Sequence, residues 1–274
     1  MKLYLSVDME GITGLPDYTF VSASMHNYER ARKIMTDETN YVVDAAFQSG
    51  CDEVLVNDSH MKMNNILIDQ LHPEAQLITG GIKTYSMVHG LDDSFSGAMF
   101  IGYHTRAGMP GVMSHSMIHM VRNFYINDIQ VGEIGMNAMV AGYHGVPVLL
   151  VSGDDETAKE AEELIPNITT AIVKEAVSRS ATKSLTPKKA GELLQEKVKQ
   201  AIENRHQVKP LLPPDNPVLK IEFVNYGAAE LAHMMPGTEI IPGTTIVTYQ
   251  AKDILEAYRA LLVMIELAYY TQYA

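Results

Sequence analysis

Cysteine is nearly absent from this sequence, which contains only Cys51 among its 274 residues. A single cysteine excludes a disulfide within the chain, and this agrees with a reducing compartment without requiring one. Apolar residues never form the run of about 20 that crosses a bilayer, and the stretch after Met1 is too short for a signal peptide. The sequence therefore predicts a cytoplasmic protein with no membrane partner.

Basic residues are scarce relative to acidic ones. The chain has 21 lysines and arginines against 33 aspartates and glutamates, so its formal net charge is −12. Such a chain repels a phosphate backbone, and its sequence has no basic run and no alternation of basic with aromatic residues. Nucleic acid is thereby excluded as a partner.

The composition that remains is typical of a folded globular protein. The apolar fraction is 46% and the charged fraction is 20%, and no low-complexity tract indicates disorder. A length of 274 residues exceeds that of a single small domain. The chain therefore forms one large α/β domain or two of moderate size.

The first half alternates short apolar runs with longer helical patterns, as parallel strands joined by helices do. A helix is predicted over 28–49, with Gly50 where helices often end. Residues 124–131 predict a hairpin with its turn at Asn127 and Asp128. A helix over 134–143 follows. The predicted parallel strands are residues 3–7, 53–57, 98–102 and 146–152.

The second half has a different pattern, in which helices come first and strands later. Thr186 is a predicted N-cap, and Pro187 follows it at the first helical position. Asp253 is expected to cap the last helix, whose apolar run is nearly continuous. A proline-rich connector over 209–217 lies between them. The predicted elements are helices over 157–164, from 186 to about 204 and from 253 onward, and strands over 218–223 and 244–249.

These patterns predict an α/β fold. Its N-terminal part is a mostly parallel sheet flanked by helices, and a second, smaller α+β domain packs against it. We place the first domain at residues 1–155 and the second at residues 156–274, because the alternation of strands and helices stops there.

Acidic and histidine residues follow the predicted parallel strands at once. Asp8 and Glu10 come after the first strand, His60 after the second and His104 after the third. Glu133 comes directly after the hairpin. Loops at the carboxyl ends of parallel strands converge on one crevice. We therefore expect these five side chains to lie together.

Three carboxylates and two imidazoles suit zinc, manganese or cobalt better than calcium or magnesium. One shared carboxylate can bridge two ions, and Asp8 is the natural bridge because its short side chain sits at the very end of a strand. The sequence thus predicts a pair of divalent metal ions in the N-terminal domain. The predicted ligands are Asp8, Glu10, His60, His104 and Glu133.

Each of these residues has a simpler explanation when taken alone. An aspartate after a strand most often caps a turn or a helix, and a lone histidine is most often exposed or satisfied by neighbours. Because five candidates follow the ends of three successive strands and of the hairpin, a metal site is favoured over coincidence. Asp58 competes for the ligand role, or instead orients His60 as a hydrogen-bond partner.

Three short motifs suggest other chemistry and are rejected. Residues 80–84 lack the Gly-Lys-Thr of a phosphate loop. Residues 10–14 lack the third glycine of a dinucleotide fingerprint, and we expect a turn that lets backbone approach the metal loop. Ser114 and Ser116 flank His115 without a G-x-S-x-G turn. His115 itself is a candidate acid or base, with a surface histidine as the alternative.

Several segments, in order along the chain, resemble peptidase family M55, the zinc-dependent D-aminopeptidases of the dipeptide-transport type. The resemblance spans nearly the entire chain and shows no departure at the candidate ligands. Its most specific segments are SVDMEGITG at 6–14, VNDSH at 56–60, GYH at 102–104, PGVMSHS at 110–116 and VGEIGMNA at 131–138.

The resemblance implies two zinc ions in the predicted site, bridged by Asp8, with the other four ligands completing the set. It implies that His115 acts in catalysis, as nucleophile, acid–base or oxyanion stabiliser. It further implies release of N-terminal D-residues, D-alanine favoured, from short peptides. A ring-shaped homo-oligomer, a decamer whose active sites face an interior chamber, is implied as well.

Two other functions would use a similar set of residues. A dinuclear phosphoesterase needs cations to clamp phosphate, and Arg106 and Arg122 are the candidates, although both could serve a peptide carboxylate instead. A structural metal site would have closed coordination. Five ligands shared by two ions leave open positions, which favours catalysis.

Overall fold

The computed structural model describes residues 1–273, which form two sheets and the helices that cover them. In chain order the elements are β1 (Lys2–Val7), α1 (Tyr18–Val21), α2 (Tyr28–Gln48), β2 (Glu53–Asp58), β3 (Gln76–Ile78), β4 (Gly97–Ile101), β5 (Val121–Ile126), β6 (Ile129–Val131), α3 (Glu133–Tyr143), β7 (Val148–Asp154), α4 (Asp155–Leu164), β8 (Thr169–Ser178), β9 (Ala181–Ser184), α5 (Pro187–Glu203), β10 (Val218–Phe223), α6 (Tyr226–Ala232), β11 (Thr238–Ile240), β12 (Ile246–Gln250) and α7 (Ile254–Tyr269).

The large sheet has the strand order β3-β2-β1-β4-β7-β8-β9. All neighbouring strands are parallel except β8 and β9, which form an antiparallel hairpin. Every residue of β4 and β7 is buried, as expected for parallel strands covered on both faces. β1 lies between β2 and β4, so the strand order reverses beside it and a crevice opens at the carboxyl ends of these strands.

The small sheet has the order β11-β12-β10-β5-β6 and is antiparallel throughout. The β5–β6 hairpin turns at Asn127, whose φ of 56° is a left-handed conformation that asparagine tolerates. α6 and α7 pack together and contact β10 and β12. The predicted caps Thr186 and Asp253 accept hydrogen bonds from backbone amides at the starts of α5 and α7.

The predicted fold class is confirmed: a mostly parallel sheet flanked by helices, with a second, antiparallel sheet beside it. The prediction missed several elements, most importantly β8 and β9. In β8 a fully buried Lys174 interrupts the apolar pattern that would reveal a core strand. Within residues 1–273, none of the helices has both the length and the apolar character needed to span a bilayer.

Residue 155 does not separate the two sheets. β8 and β9 follow it yet extend the large sheet, while β5 and β6 precede it yet belong to the small one. The reason is that the β5–β6 hairpin is inserted in the chain between β4 and β7, which are neighbours in the large sheet. The division into domains of residues 1–155 and 156–274 stays a prediction.

Candidate metal centre

Three loops and the start of one helix bring the five predicted ligands to the carboxyl edge of the large sheet. Asp8 and Glu10 follow β1, His60 follows β2 and His104 follows β4, which are the three strands at the reversal of strand order. Glu133 is the first residue of α3, directly after the β5–β6 hairpin. Each of the five residues is at most 5% exposed to solvent.

Asp8 lies at the centre of the cluster and faces a histidine with each of its carboxylate oxygens. His60 Nδ1 is 3.2 Å from Asp8 Oδ1 and 2.9 Å from Glu10 Oε2. On the other side, His104 Nε2 is 3.5 Å from Asp8 Oδ2 and 3.4 Å from Glu133 Oε2. One carboxylate thus joins two separate pairs of an imidazole and a carboxylate, an arrangement in which it can serve two cations.

Backbone carbonyls fix the orientation of both histidine rings. His60 Nε2 is 2.7 Å from the carbonyl oxygen of Val21, and His104 Nδ1 is 2.9 Å from that of Thr105. A carbonyl can only accept, so these two nitrogens carry the ring hydrogens. In the neutral rings, the remaining nitrogens point lone pairs at the carboxylates, as metal-binding histidines do.

A divalent cation fits this set of atoms. Glu10 Oε2 and His104 Nε2 are buried and have no hydrogen-bond partner in the described part of the chain. Buried acceptors that face one another are unfavourable unless a proton or a cation lies between them. Ligand atoms of Asp8, Glu10 and His104 lie within 4.8 Å of one another, as do those of His104, His115 and Glu133. Imidazole and carboxylate donors at these distances suit zinc.

Without a cation, the ionisable groups strongly perturb one another. Burial, reinforced by the charge of Glu10, raises the pKa of Asp8 to about 7. Burial also opposes ionisation of Glu10, but His60 lowers the pKa of Glu10 well below its usual range. Burial lowers the pKa of His104, yet Glu133 and Asp8 outweigh it and raise that pKa to about 10. Metal binding here would displace protons.

His115 lies against the cluster rather than on the surface. Its ring stacks on that of His104, with ring centroids 4.2 Å apart and planes 11° from parallel. The carbonyl of Met113, 2.9 Å from His115 Nδ1, fixes the ring hydrogen there. Burial and the neighbouring His104 lower the pKa of His115 to about 4, so at pH 7 the ring is neutral with a lone pair on Nε2.

A buried lysine anchors the loop after β1. Lys174 Nζ donates to the carbonyl oxygens of Glu10, Ile12 and Leu15 at 2.5, 3.0 and 2.8 Å. Burial lowers the pKa of Lys174 to about 8. Because three carbonyls of one short loop share this ammonium, the backbone that carries two of the predicted ligands is fixed in one conformation.

Asp58 anchors the loop after β2 and does not contact the ring of His60. Its carboxylate accepts hydrogen bonds from the backbone amides of Asn65 and Ile66 and from Asn65 Nδ2. Asn65 Nδ2 also donates to the carbonyl of His60 at 2.7 Å. Lys83 Nζ donates to the carbonyl of Asp58. Both carboxylate oxygens of Asp58 are therefore engaged by the loop, and the geometry supports a positioning role rather than metal ligation.

Glycine allows the loops after β1 and β4 to touch. Gly11 N donates to the carbonyl of Gly102 at 2.7 Å. A Cβ at Gly11 would lie 1.9 Å from the carbonyl oxygen of Tyr103, and one at Gly102, whose φ is +70°, would lie 2.3 Å from that of Asp8. The glycine-containing turn therefore has the role expected from the sequence, which is close backbone approach beside the ligands.

A cavity of about 440 Å³ opens onto the cluster. The predicted ligands Asp8, Glu10, His60 and Glu133 lie along it together with His115. A larger groove of about 710 Å³ beside α2 and α5 contains none of the predicted ligands. The other residues that line the site cavity are Ser59, Met61, Lys62, Met63, Ser86, Met87, Met117, Ile118, Leu262, Ile265, Glu266 and Tyr269.

The two arginines considered for substrate binding face elsewhere. Arg106 Nη1 is 3.5 Å from Glu160, and Arg122 Nη1 is 3.5 Å from Glu222. Neither arginine lines the site cavity. Sequence reasoning overlooked Lys62, which does line it, because an isolated lysine in a loop carries no distinguishing pattern.

Comparison with known proteins identifies the family. The family model for peptidase M55, D-aminopeptidase, matches residues 1–263. The chain belongs to this family. The D-aminopeptidase of Bacillus subtilis (strain 168) is 66% identical over 273 residues, which cover 100% of both chains. Among solved structures, the Zn-dependent D-aminopeptidase DppA from Bacillus subtilis, a self-compartmentalizing protease, matches 100% of both chains at 66% identity with a TM-score of 0.99.

Membership of the family confirms the predicted resemblance and the prediction of a peptide hydrolase of the aminopeptidase class. It favours peptide hydrolysis over the phosphoesterase alternative, in agreement with the pairing of both arginines to glutamates.

Proposed function

We propose that this chain is a D-aminopeptidase that works with two zinc ions and releases N-terminal D-residues, D-alanine favoured, from short peptides. The observation that carries the proposal is the position of Asp8, whose two oxygens face two separate imidazole–carboxylate pairs at the edge of a cavity. The similar Bacillus subtilis protein is described as Zn-dependent, and the donor set of this chain suits the same metal.

The ligand set divides naturally in two. Asp8, Glu10 and His60 would hold one ion, and Asp8, His104 and Glu133 would hold the other. When bound, the ions would supply Lewis-acid polarisation of the scissile carbonyl and a water whose pKa is lowered toward neutrality. Five protein ligands shared by two ions leave positions open for substrate and water, which a closed structural site would not.

His115 moves the proton in this proposal. Its Nδ1 hydrogen is held by the carbonyl of Met113, which leaves the Nε2 lone pair free to accept a proton from the attacking water. Burial lowers the pKa of His115, so the ring, once protonated, readily gives this proton to the leaving amine. Its alternative roles are nucleophile, oxyanion stabiliser and additional metal ligand, the last because it lies close to His104 and Glu133.

The loop anchors orient the ligands before any substrate arrives. Lys174 holds the loop that carries Asp8 and Glu10, and Asp58 holds the loop that carries His60. Rigid support of this kind keeps a metal site close to its productive geometry. These residues therefore act by positioning and do not contact the reacting atoms.

The assembly belongs to the same proposal. The related protein is self-compartmentalizing, and we propose that this chain likewise forms a ring-shaped homo-oligomer, a decamer with its active sites toward an interior chamber. Light scattering on the purified protein should then give about ten times the chain mass of 30.3 kDa. A monomeric mass at assay concentration would contradict the proposed assembly without affecting the proposed chemistry.

The decisive experiment compares hydrolysis of D-Ala-D-Ala and L-Ala-L-Ala by the purified protein before and after chelation, with metal content measured on the same samples. We expect D-selective cleavage that is lost on chelation and restored by zinc, with about two ions per chain, as a dinuclear hydrolase requires. Bound metal with cleavage of neither peptide would contradict the proposal. A chromogenic phosphate ester, tested in parallel, would then distinguish a phosphoesterase from a structural metal site.

A further inference from the structure

The site cavity is lined by several carboxylates and a single fixed cation. Asp8, Glu10, Glu133 and Glu266 contribute carboxylates. Among the described residues that line the cavity, Lys62 is the only lysine or arginine. Under the proposed function, metal ions offset the negative charge of the three carboxylates in the ligand set, whereas Glu266 is outside that set. A peptide carboxylate that enters this cavity therefore finds its protein counter-charge at Lys62.

The ammonium of Lys62 is available for a ligand. Lys62 is exposed, and its side chain takes part in no ion pair or hydrogen bond within residues 1–273. Some exposed lysines elsewhere are engaged, since Lys33, Lys183 and Lys189 each pair with a carboxylate within 3.1 Å, whereas Lys209 is as unpaired as Lys62 within residues 1–273 but lies outside the cavity. The carboxylate of Glu266 lines the same cavity and is likewise exposed, without forming an ion pair with Lys62.

The backbone around Lys62 is fixed although the side chain is exposed. Met61 and Met63, on either side of Lys62, have φ angles of 46° and 56°, a left-handed conformation that methionine rarely adopts. Such conformations persist only where surrounding contacts impose them. Here Met63 N donates to the carbonyl of His60 at 2.7 Å, and the amide of Gly80 donates to the carbonyl of Met63. The base of the Lys62 side chain is therefore held two residues from a predicted metal ligand.

We propose that Lys62 binds the C-terminal carboxylate of the peptide substrate and so makes the enzyme select dipeptides and other very short peptides with a free carboxyl terminus. This inference rests on the proposed function, because it places the scissile bond at the ligand cluster. In a dipeptide the carboxylate lies one residue beyond that bond, and a flexible four-carbon stem lets the Lys62 ammonium reach along the cavity toward it. A charge-assisted hydrogen bond then favours the acid over an uncharged end group.

The test compares D-Ala-D-Ala with its C-terminal amide in the wild type and in Lys62→Met, Lys62→Arg and Lys209→Met. Lys209 is exposed and does not line the site cavity, so its variant is the matched control. The kcat/KM of the wild type should be about tenfold to a hundredfold higher for the acid than for the amide, which is the ratio that one charged hydrogen bond produces. Lys62→Met should remove most of this preference through KM, with the amide rate unchanged, while Lys62→Arg and Lys209→Met should retain it.

Zinc content and melting temperature, measured on all four proteins, should be unchanged, because Lys62 is not a predicted ligand and its side chain forms no ion pair or hydrogen bond within residues 1–273. An acid-to-amide preference that survives in Lys62→Met, with hydrolysis intact, would overturn the inference and leave the proposed function standing. Wild-type protein that contains zinc but cleaves neither peptide would overturn both.

Discussion

The two edges of the large sheet carry different kinds of charge. At the carboxyl edge the ionisable groups are buried and lie within about hydrogen-bonding distance of one another, as Asp8 and His60 do at 3.2 Å. At the amino edge they are accessible to solvent: Lys2 pairs with Glu53 at 3.3 Å, and the N-terminal amine pairs with Asp52. Exposed pairs contribute little to stability, whereas buried charges are costly unless a partner neutralises them.

The two edges of the large sheet also differ in which residues adopt a left-handed backbone conformation. Left-handed residues beside the amino ends of the strands are Gly50, Gly145 and Asn167, and both residue types tolerate this conformation. Around the site at the carboxyl edge they include residue types that rarely adopt it: Met61, Met63, Ser86, Met113 and Met117. Strained conformations and buried charges that cluster at one edge indicate that this edge is the binding site, whereas the other edge carries neither feature. The comparison can be tested by substitutions of matched chemistry at the two edges.

The largest effect should come from Asp8→Asn. An amide cannot bridge two cations as a carboxylate does, so metal affinity should fall by more than the roughly tenfold to hundredfold loss caused by changes outside the ligand set. Turnover should fall by at least about a thousandfold, equivalent to about 4 kcal/mol. The measurements are zinc content by mass spectrometry and kcat on D-Ala-D-Ala. Asp52→Asn, at the amino edge, is the control and should change neither, and wild-type zinc content in Asp8→Asn would refute the bridging role.

His115→Ala should have the second-largest effect. The loss of a proton-transfer group should lower kcat by about 10²- to 10⁴-fold, while zinc content stays at the wild-type level. Steady-state kinetics and metal analysis on one preparation check both parts. Unchanged turnover would remove His115 from the mechanism, and lost zinc would make it a ligand instead.

Gly11→Ala should destabilise the protein and loosen the site. The new Cβ would lie 1.9 Å from the carbonyl oxygen of Tyr103, so the backbone of the ligand loop has to move. Overpacking of this kind costs about 1–3 kcal/mol, and metal affinity should fall with it. Gly145→Ala is the matched control, because its Cβ would meet nothing within 4 Å and only the left-handed φ would be strained. Chemical denaturation and zinc titration of both variants should separate them; equal zinc affinities would contradict the close-approach role.

The smallest effect concerns Cys51, just before β2 at the amino edge. Burial raises the pKa of its thiol to about 11, so the reactive thiolate forms only as the pH rises toward that value. At pH 8 the thiolate fraction should be roughly two orders of magnitude below that of a free thiol. Iodoacetamide labelling followed by mass spectrometry should therefore be slow at pH 8 and accelerate above pH 10. Labelling at pH 8 as fast as that of glutathione would show that this edge opens in solution.

The positions of the candidate ligands could be predicted because they depend on a general rule. Parallel strands end at one edge, so residues directly after β1, β2 and β4 are brought together whatever the details of packing. The anchors could not be predicted in this way. Lys174 is 164 residues from Glu10 in the chain, and only the position of β8 in the large sheet brings its ammonium to that loop.

Other features were obscured for equally specific reasons. A buried lysine within β8 disguised a core strand as an irregular segment, which in turn shifted the apparent end of the first sheet to residue 155. Arg106 and Arg122 looked free in the sequence, whereas Glu160 and Glu222, which pair with them, become visible only in three dimensions. Left-handed methionines could not be foreseen either, because nothing in local propensity favours that conformation.

The bridging of two zinc ions by Asp8 is tested most directly by anomalous diffraction at the zinc absorption edge on crystals of the wild-type protein. We expect two peaks per chain about 3.5–4 Å apart, the usual separation in a dinuclear hydrolase, with one oxygen of Asp8 directed at each. One peak per chain, or two peaks that Asp8 does not join, would contradict a dinuclear centre at the carboxyl edge.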